Sequence, residues 1–197
     1  VQLAELEGYS SARKIIEPMM RWYEDIDGNF IEQFQTTGFD QRIWELYLFA
    51  AFTEMGYQLD RSNPVPDFIC SGLRGQFAVE AVTVGPTREG GVVVPPPPLD
   101  TPEAELAYIR QYMPIKFGSA LFSKLRRSYW ERPNVVGKPL VFAIEDFSSP
   151  ASMTHTGSAL DTYLYGYEQD WECDPAGNVM IIPRKIETHQ WGEKLIP

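Results

Sequence analysis

Two acidic residues buried in apolar runs limit what this chain can fold into more than any other feature. Asp67 stands in Pro66-Asp67-Phe68-Ile69-Cys70, and Glu80 in Phe77-Ala78-Val79-Glu80-Ala81-Val82-Thr83-Val84. Both stretches are apolar and β-branched, as buried strands are, and Ser71-Gly72-Leu73-Arg74-Gly75 between them has the composition of a hairpin turn. A hairpin sets the two carboxylates side by side. An ionised acid in an apolar strand is costly unless it is paired or coordinates a metal, and two neighbouring carboxylates repel each other. The pattern therefore points to a divalent cation between them.

The rest of the composition narrows the class. With 197 residues, 44% of them hydrophobic, the chain can fill one core. No apolar run approaches the roughly 20 residues that span a bilayer, and the first residues lack a basic-then-apolar signal pattern. The expectation is a cytoplasmic protein with no membrane contact. Cys70 and Cys173 have no partner at metal-ligand spacing, which argues against zinc and against a disulfide framework. Val1 in place of an initiator methionine, and an end at Ile196-Pro197 without a terminating motif, suggest a fragment.

The formal net charge is -10, which argues against a general nucleic-acid binder, but the charge is unevenly spread. From Leu106 to Pro139 there are seven bases (Arg110, Lys116, Lys124, Arg126, Arg127, Arg132, Lys138) and one acid, Glu131. A local basic segment is what a phosphate-contacting surface requires; a solvated helix face has the same composition.

Along the chain, residues 1–38 read as a helical extension, amphipathic from Ala12 to Tyr23, with a turn at Asp27-Gly28-Asn29 and a short helix from Phe30 to Gln35. Asp40 is placed to cap a helix from Gln41 to Met55, which Gly56 stops before a first strand at Tyr57-Gln58-Leu59. The middle of that helix, apart from Glu45, is apolar all round. A proline-rich loop covers residues 85–99 and includes Pro95 to Pro98, in a connection whose length suits a lid or a spacer, the latter favoured. A helix follows from Thr101, broken or restarted at Pro114, with a second run to about Trp130. Leu140-Val141-Phe142-Ala143-Ile144 reads as a central strand, Ser158 to Tyr165 as a helix and Val179 to Ile182 as a last strand.

Pro66-Asp67, then thirteen positions on, Glu80 in a hydrophobic strand, resembles the PD-(D/E)XK nuclease superfamily, whose fold is restriction-endonuclease-like. The order helix, three strands, helix, strand from about Phe39 to Phe147 is similar to that family's αβββαβ core. The resemblance implies an α/β domain over residues 39–197 with a mixed sheet flanked by helices. It further implies a nuclease that hydrolyses DNA phosphodiester bonds with Mg²⁺ or Mn²⁺, held by Asp67, Glu80 and the backbone carbonyl of Ala81. Glu45 stands where such nucleases often carry a glutamate facing the metal; on its residues alone it is a buried acid paired with Arg42, three positions back, or with a distant base.

The sequence departs from the family pattern at one position: Val82 stands where the motif has its lysine. On a helical wheel over residues 116–130, Phe117, Leu121 and Leu125 form the apolar stripe, and Lys124 falls at its edge, from where its stem can lie along apolar surface. In the family the lysine sometimes moves to this helix, so Lys124 is the first candidate to replace it and Lys116 the second. Arg126, Arg127 and Lys138 are expected to contact the nucleic-acid backbone. The expected partner is DNA, with a homodimer or a partner protein allowed. The alternatives are a degenerate nuclease fold that binds nucleic acid without cutting, favoured by Val82, and a protein-interaction module.

Other chemistries fare worse. His155 and His189 have no acid or cysteine at ligand spacing, Ser148-Ser149-Pro150-Ala151-Ser152 lacks a nucleophile elbow, and Gly72 and Gly75 do not make a phosphate loop. Trp171-Glu172-Cys173-Asp174 reads as an acidic loop without an EF-hand register.

Overall fold

The structure, a computed structural model, describes Glu7 and residues 10–26, 28–149 and 152–196. Asp27 of the expected turn, Pro150-Ala151 of the serine-rich stretch and the terminal residues Val1 and Pro197 lie outside the described residues. The protein is mixed α/β and divides into two compact units. One holds the described residues up to Thr83 together with Arg127–Glu145, the other Val84–Arg126 and the described residues from Asp146 on.

In the first unit the helices are α1 (Ser10–Trp22), α2 (Phe30–Gln35) and α3 (Phe39–Glu54). Tyr23, Phe30 and Leu46 are buried together, with Ile16, Met19 and Phe34 around them, so the residues read as an extension share an apolar cluster with α3. Asp40 is not the cap of α3. The cap position is Gly38, without a side-chain bond, and Asp40 sits in the first turn, where its charge still favours the helix N-terminus. The expected stop is present: Gly56 has a φ of +83°, and the Tyr57 N–H reaches back to the Phe52 carbonyl at 3.0 Å. Trp44, Leu48 and Phe52, four residues apart, form the row of α3 that packs on the sheet, and the Trp44 indole donates to the Ala143 carbonyl at 2.8 Å.

The sheet has the order β1 (Gln58–Asp60), β2 (Phe68–Gly72), β3 (Gly75–Val84), β6 (Leu140–Asp146). β1 with β2 and β2 with β3 are antiparallel. The pair Gly72↔Gly75 leaves Leu73-Arg74 as a two-residue loop, and Gly75 has a φ of +113° that a side chain would strain. The Ala78 N–H bonds to the Pro139 carbonyl and the Phe147 N–H to that of Val84; positions rise together, so β6 runs parallel to β3. Side chains alternate as the pleat requires: Phe68, Cys70, Val79 and Ala81 face the α3 cluster, whereas Ile69 and Ala78 pack with Val135 and Leu140. The strand read as central, Leu140–Ile144, is at the edge of this sheet. An apolar run reports covered faces, not the number of ladder neighbours.

In the second unit β4 (Arg88–Glu89) and β5 (Val92–Val93) make a small hairpin around Gly90-Gly91, and Pro95–Pro98 follow without regular structure. Helix α4 (Pro102–Ala107) is capped by Thr101, whose hydroxyl accepts from the Ala104 N–H at 3.1 Å. A π-helical turn, Tyr108–Tyr112, leads into α5 (Met113–Leu125), so the break expected at Pro114 is present. Pro114 has no N–H to offer the Arg110 carbonyl, and the buried His189 places Nδ1 2.9 Å from that oxygen as a donor. α5 ends at Leu125, short of the expected Trp130, because Ser128 turns left-handed at φ 47° before a 3₁₀ turn at Tyr129–Glu131.

Helix α6 (Ser152–Tyr165) begins earlier than expected, its first serine donating to the Asp146 carbonyl at 2.6 Å. Trp171-Glu172-Cys173 is not a loop. It belongs to β7 (Tyr167–Cys173), which pairs along its whole length with β8 (Val179–Lys185). Both strands are largely exposed, so no apolar alternation marks them in sequence. β9 (His189–Trp191) and β10 (Lys194–Ile196) form a last hairpin. Among the described residues, no helix is long and apolar enough to cross a membrane.

Candidate active site

The register of the β2–β3 hairpin places the two acids. Phe68 pairs with Val79 at the end of the ladder, and Asp67 and Glu80 are the residues one step beyond that pair on either chain. Asp67 sits just ahead of β2 and is tied to β3 by its own side chain, which accepts the Ala81 N–H at 2.7 Å. From behind, Asn134 donates to the Val65 carbonyl at 3.1 Å and Pro66 is buried, which fixes the approach of the chain to Asp67. Glu80 is only 3% exposed and accepts a hydrogen bond from the Tyr129 hydroxyl at 2.7 Å. Arg127 donates to that hydroxyl at 3.3 Å, and the Arg132 guanidinium lies 5.6 Å from the Tyr129 ring. Val82, in the position of the motif lysine, is buried.

Glu45 reaches the neighbourhood from the other side. It shares with Asp67 a small cavity of about 30 Å³, whose walls include Tyr23, Arg42, Arg61 and Asn63 but not Glu80. Its carboxylate is engaged: Arg42 donates to Oε2 at 2.5 Å and Gln41 to Oε1 at 2.8 Å, while the Gln41 side-chain amide oxygen accepts from the Thr83 hydroxyl at 3.0 Å. Asp67 thus reaches both neighbourhoods, accepting the Ala81 N–H next to Glu80 and sharing the cavity with Glu45.

Hard carboxylate oxygens from two adjacent strands suit Mg²⁺ or Mn²⁺, which usually takes one or two protein carboxylates and completes its shell with water and substrate phosphate. Asp67 and Glu80 carry oxygens of that kind. Glu45 does not suit the role, because a guanidinium already neutralises it. Among the described residues, no set of three or more His, Cys, Asp or Glu side chains is grouped to hold a metal.

The basic candidates fall into both units. Lys116 and Lys124 are on α5 in the second unit. The Lys116 ammonium donates to the Thr87 hydroxyl at 3.0 Å and lies 5.6 Å from the Tyr112 ring; burial pushes its pKa down, against the nearby Asp146 carboxylate, which raises it. Lys124 is half-buried, as its place at the edge of the apolar stripe implies, although Leu125 of that stripe is itself exposed. Arg126 is exposed at the end of α5, Arg127 is exposed beside Tyr129, and Lys138 donates to the Asn134 carbonyl at 3.0 Å.

Sequence reasoning missed Arg61, Tyr23 and Tyr129. Arg61 stacks over the Tyr23 ring with 4.0 Å to its centroid, and donates to the Tyr23 hydroxyl at 2.5 Å and to the Glu24 carbonyl at 2.8 Å. A guanidinium has five N–H donors, so others remain for a ligand, and no acid pairs with Arg61 among the described residues. No motif or spacing announces these residues, since their roles arise from long-range packing.

Burial, followed by the hydrogen bond to Glu80, pushes the Tyr129 phenol up to about 12 from its ordinary 10.0, with Arg127 opposing. A raised pKa means the native state holds the proton more tightly. The associated stability is complete below about pH 10 and is lost as pH rises towards 12. The stability difference between wild type and Tyr129→Phe, measured by urea unfolding, is therefore expected to be constant up to about pH 10 and to shrink above it. A difference that stays flat to pH 12 would contradict this arrangement.

No protein-family model, curated protein or solved structure matches this chain.

Proposed function

We propose that the chain is a divalent-metal-dependent nuclease of restriction-endonuclease-like fold, acting on DNA phosphodiester bonds. The observation that carries this reading is that Asp67, at the entry to the second strand, accepts the Ala81 N–H beside Glu80 on the third strand, in a sheet whose fourth strand runs parallel to the third. Asp67 and Glu80, with the Ala81 carbonyl, are the residues that would hold Mg²⁺ or Mn²⁺. Such an ion, when bound, polarises the scissile phosphate and lowers the pKa of a water. Tyr129 orients the Glu80 carboxylate and the Ala81 N–H orients that of Asp67, so both acids are held before substrate arrives. Arg126, Arg127 and Lys138 belong to the basic segment that would meet the DNA backbone.

Val82 leaves the site without its usual cation. In the same unit as Asp67, Arg61 is the base on the walls of the shared cavity without an ion pair to an acid among the described residues, and its N–H groups can stabilise charge building on phosphate. Lys124, then Lys116, are the alternatives that the resemblance implies. Glu45, closed by Arg42 and Gln41, favours a second reading in which the fold binds nucleic acid without cutting it.

The test is cleavage of plasmid and oligonucleotide DNA with Mg²⁺ or Mn²⁺ against an EDTA control. Cutting that needs the metal is expected. Arg61→Gln is expected to slow it by roughly 10²-fold or more, the usual effect of removing one charge-stabilising donor. If Lys124→Ala has that effect and Arg61→Gln does not, the cation comes from α5. Metal-independent DNA binding without cleavage would support the second reading.

A further inference from the structure

In the second unit a cavity of about 510 Å³ lies between α4 with its following π-helical turn, α6 and the start of β7. That volume is in the range of small-molecule sites. Leu106, Ile109 and Thr162 supply much of its wall. Tyr165 and Tyr167 flank Gly166, whose φ is +59° and whose missing side chain would meet the Ile186 carbonyl oxygen at 2.7 Å. Glycine is therefore required between the two tyrosines, and both rings line the cavity although they are 75% and 44% exposed.

The charges are asymmetric. Arg110 reaches the wall, but its guanidinium is engaged by Glu168 at 2.9 Å and Asp170 at 2.6 Å. Asp161, also on the wall, has no ion-pair partner among the described residues. A carboxylate without an ion-pair partner among the described residues, on a cavity wall that also holds two tyrosines, offers the groups that recognise an organic cation. The ring faces attract positive charge, the carboxylate sets its position, and the apolar wall takes the attached stem.

We propose that this cavity is a binding site for a small organic cation, a primary ammonium group on an aromatic or aliphatic stem, with Asp161 pairing with the ammonium and Tyr165 and Tyr167 embracing it. The site is independent of the nuclease reading, because none of its residues takes part in the proposed chemistry.

The experiment uses the full chain in amine-free buffer, titrated by calorimetry with phenethylamine and with its neutral counterpart 2-phenylethanol. Phenethylamine is expected to bind at least about tenfold more tightly than the alcohol, the effect of one charge-assisted hydrogen bond. Asp161→Asn should erase that preference, and Tyr165→Ala should weaken phenethylamine by roughly 2- to 5-fold, the scale of an exposed cation–π contact. Both positions are exposed, so the variants are expected to fold, with circular dichroism as the check. Equal affinity for amine and alcohol, no binding of phenethylamine at about 10 mM, or a preference that survives Asp161→Asn would each overturn the proposal.

Discussion

Asp67→Asn and Glu80→Gln are each expected to reduce metal-dependent DNA cleavage to the level of the EDTA control while leaving the fold intact. Both substitutions preserve shape and remove one negative charge. An asparagine oxygen at position 67 can still accept the Ala81 N–H, and a glutamine oxygen at position 80 can still accept the Tyr129 hydroxyl. What they lose is the charge needed to hold a hard cation, and with it the activated water. Calorimetric titration with Mn²⁺ supplies the readout that activity alone cannot: affinity should fall in both variants and remain in Lys138→Ala. Cleavage that persists in both variants would mean that the reaction occurs elsewhere, and the proposed site would be wrong.

Phe68→Ala is expected to cost about 3–5 kcal/mol, the usual range for emptying an aromatic position in a well-packed core. Phe68 is 1% exposed and packs with Leu48 and Val79, with the Phe52 ring 6.3 Å away. Total stabilities of domains run from about 5 to 15 kcal/mol, so this one change removes a large share. It also loosens the residue that follows Asp67, so metal affinity should fall with stability. Leu73, at the exposed tip of the hairpin, provides the control, because Leu73→Ala removes almost no buried surface and should leave the urea midpoint unchanged. Similar losses at both positions would argue that the β2–β3 face is not the packed centre of its unit.

How legible the fold was depended on how local its causes were. The Gly56 stop, the Thr101 start, the break near Pro114 and the hairpin between Ser71 and Gly75 each follow from one or two residues whose backbone preferences act in place. Of the β7–β8 hairpin, β8 was legible at Val179–Ile182 but β7 was not, since an exposed strand carries no burial pattern and Trp171-Glu172-Cys173 has the composition of a loop. Leu140–Asp146 carried a clear strand signal, but its edge position depends on which neighbour it pairs with, and a run of apolar residues does not encode that. Asp40 had the chemistry of a cap, and the helix began one residue earlier, at Phe39.

The sequence by itself determined the β2–β3 hairpin that has Asp67 at its entry and Glu80 on its second strand, because a short loop between two apolar runs leaves few other pairings. It also determined that Val82 leaves the motif without its lysine and that Glu45 sits on the helix before the first strand. Only the tertiary structure decided how these acids are engaged. Glu45 is held by Arg42 and Gln41, Glu80 by Tyr129, and Arg61 is brought beside Asp67 over the face of Tyr23. Arg42 was visible as a helical neighbour, whereas the Tyr129–Glu80 contact spans 49 residues and the Arg61–Tyr23 contact spans 38. Side chains that far apart along the chain meet because burying apolar surface brings their elements together, and local spacing carries no record of that.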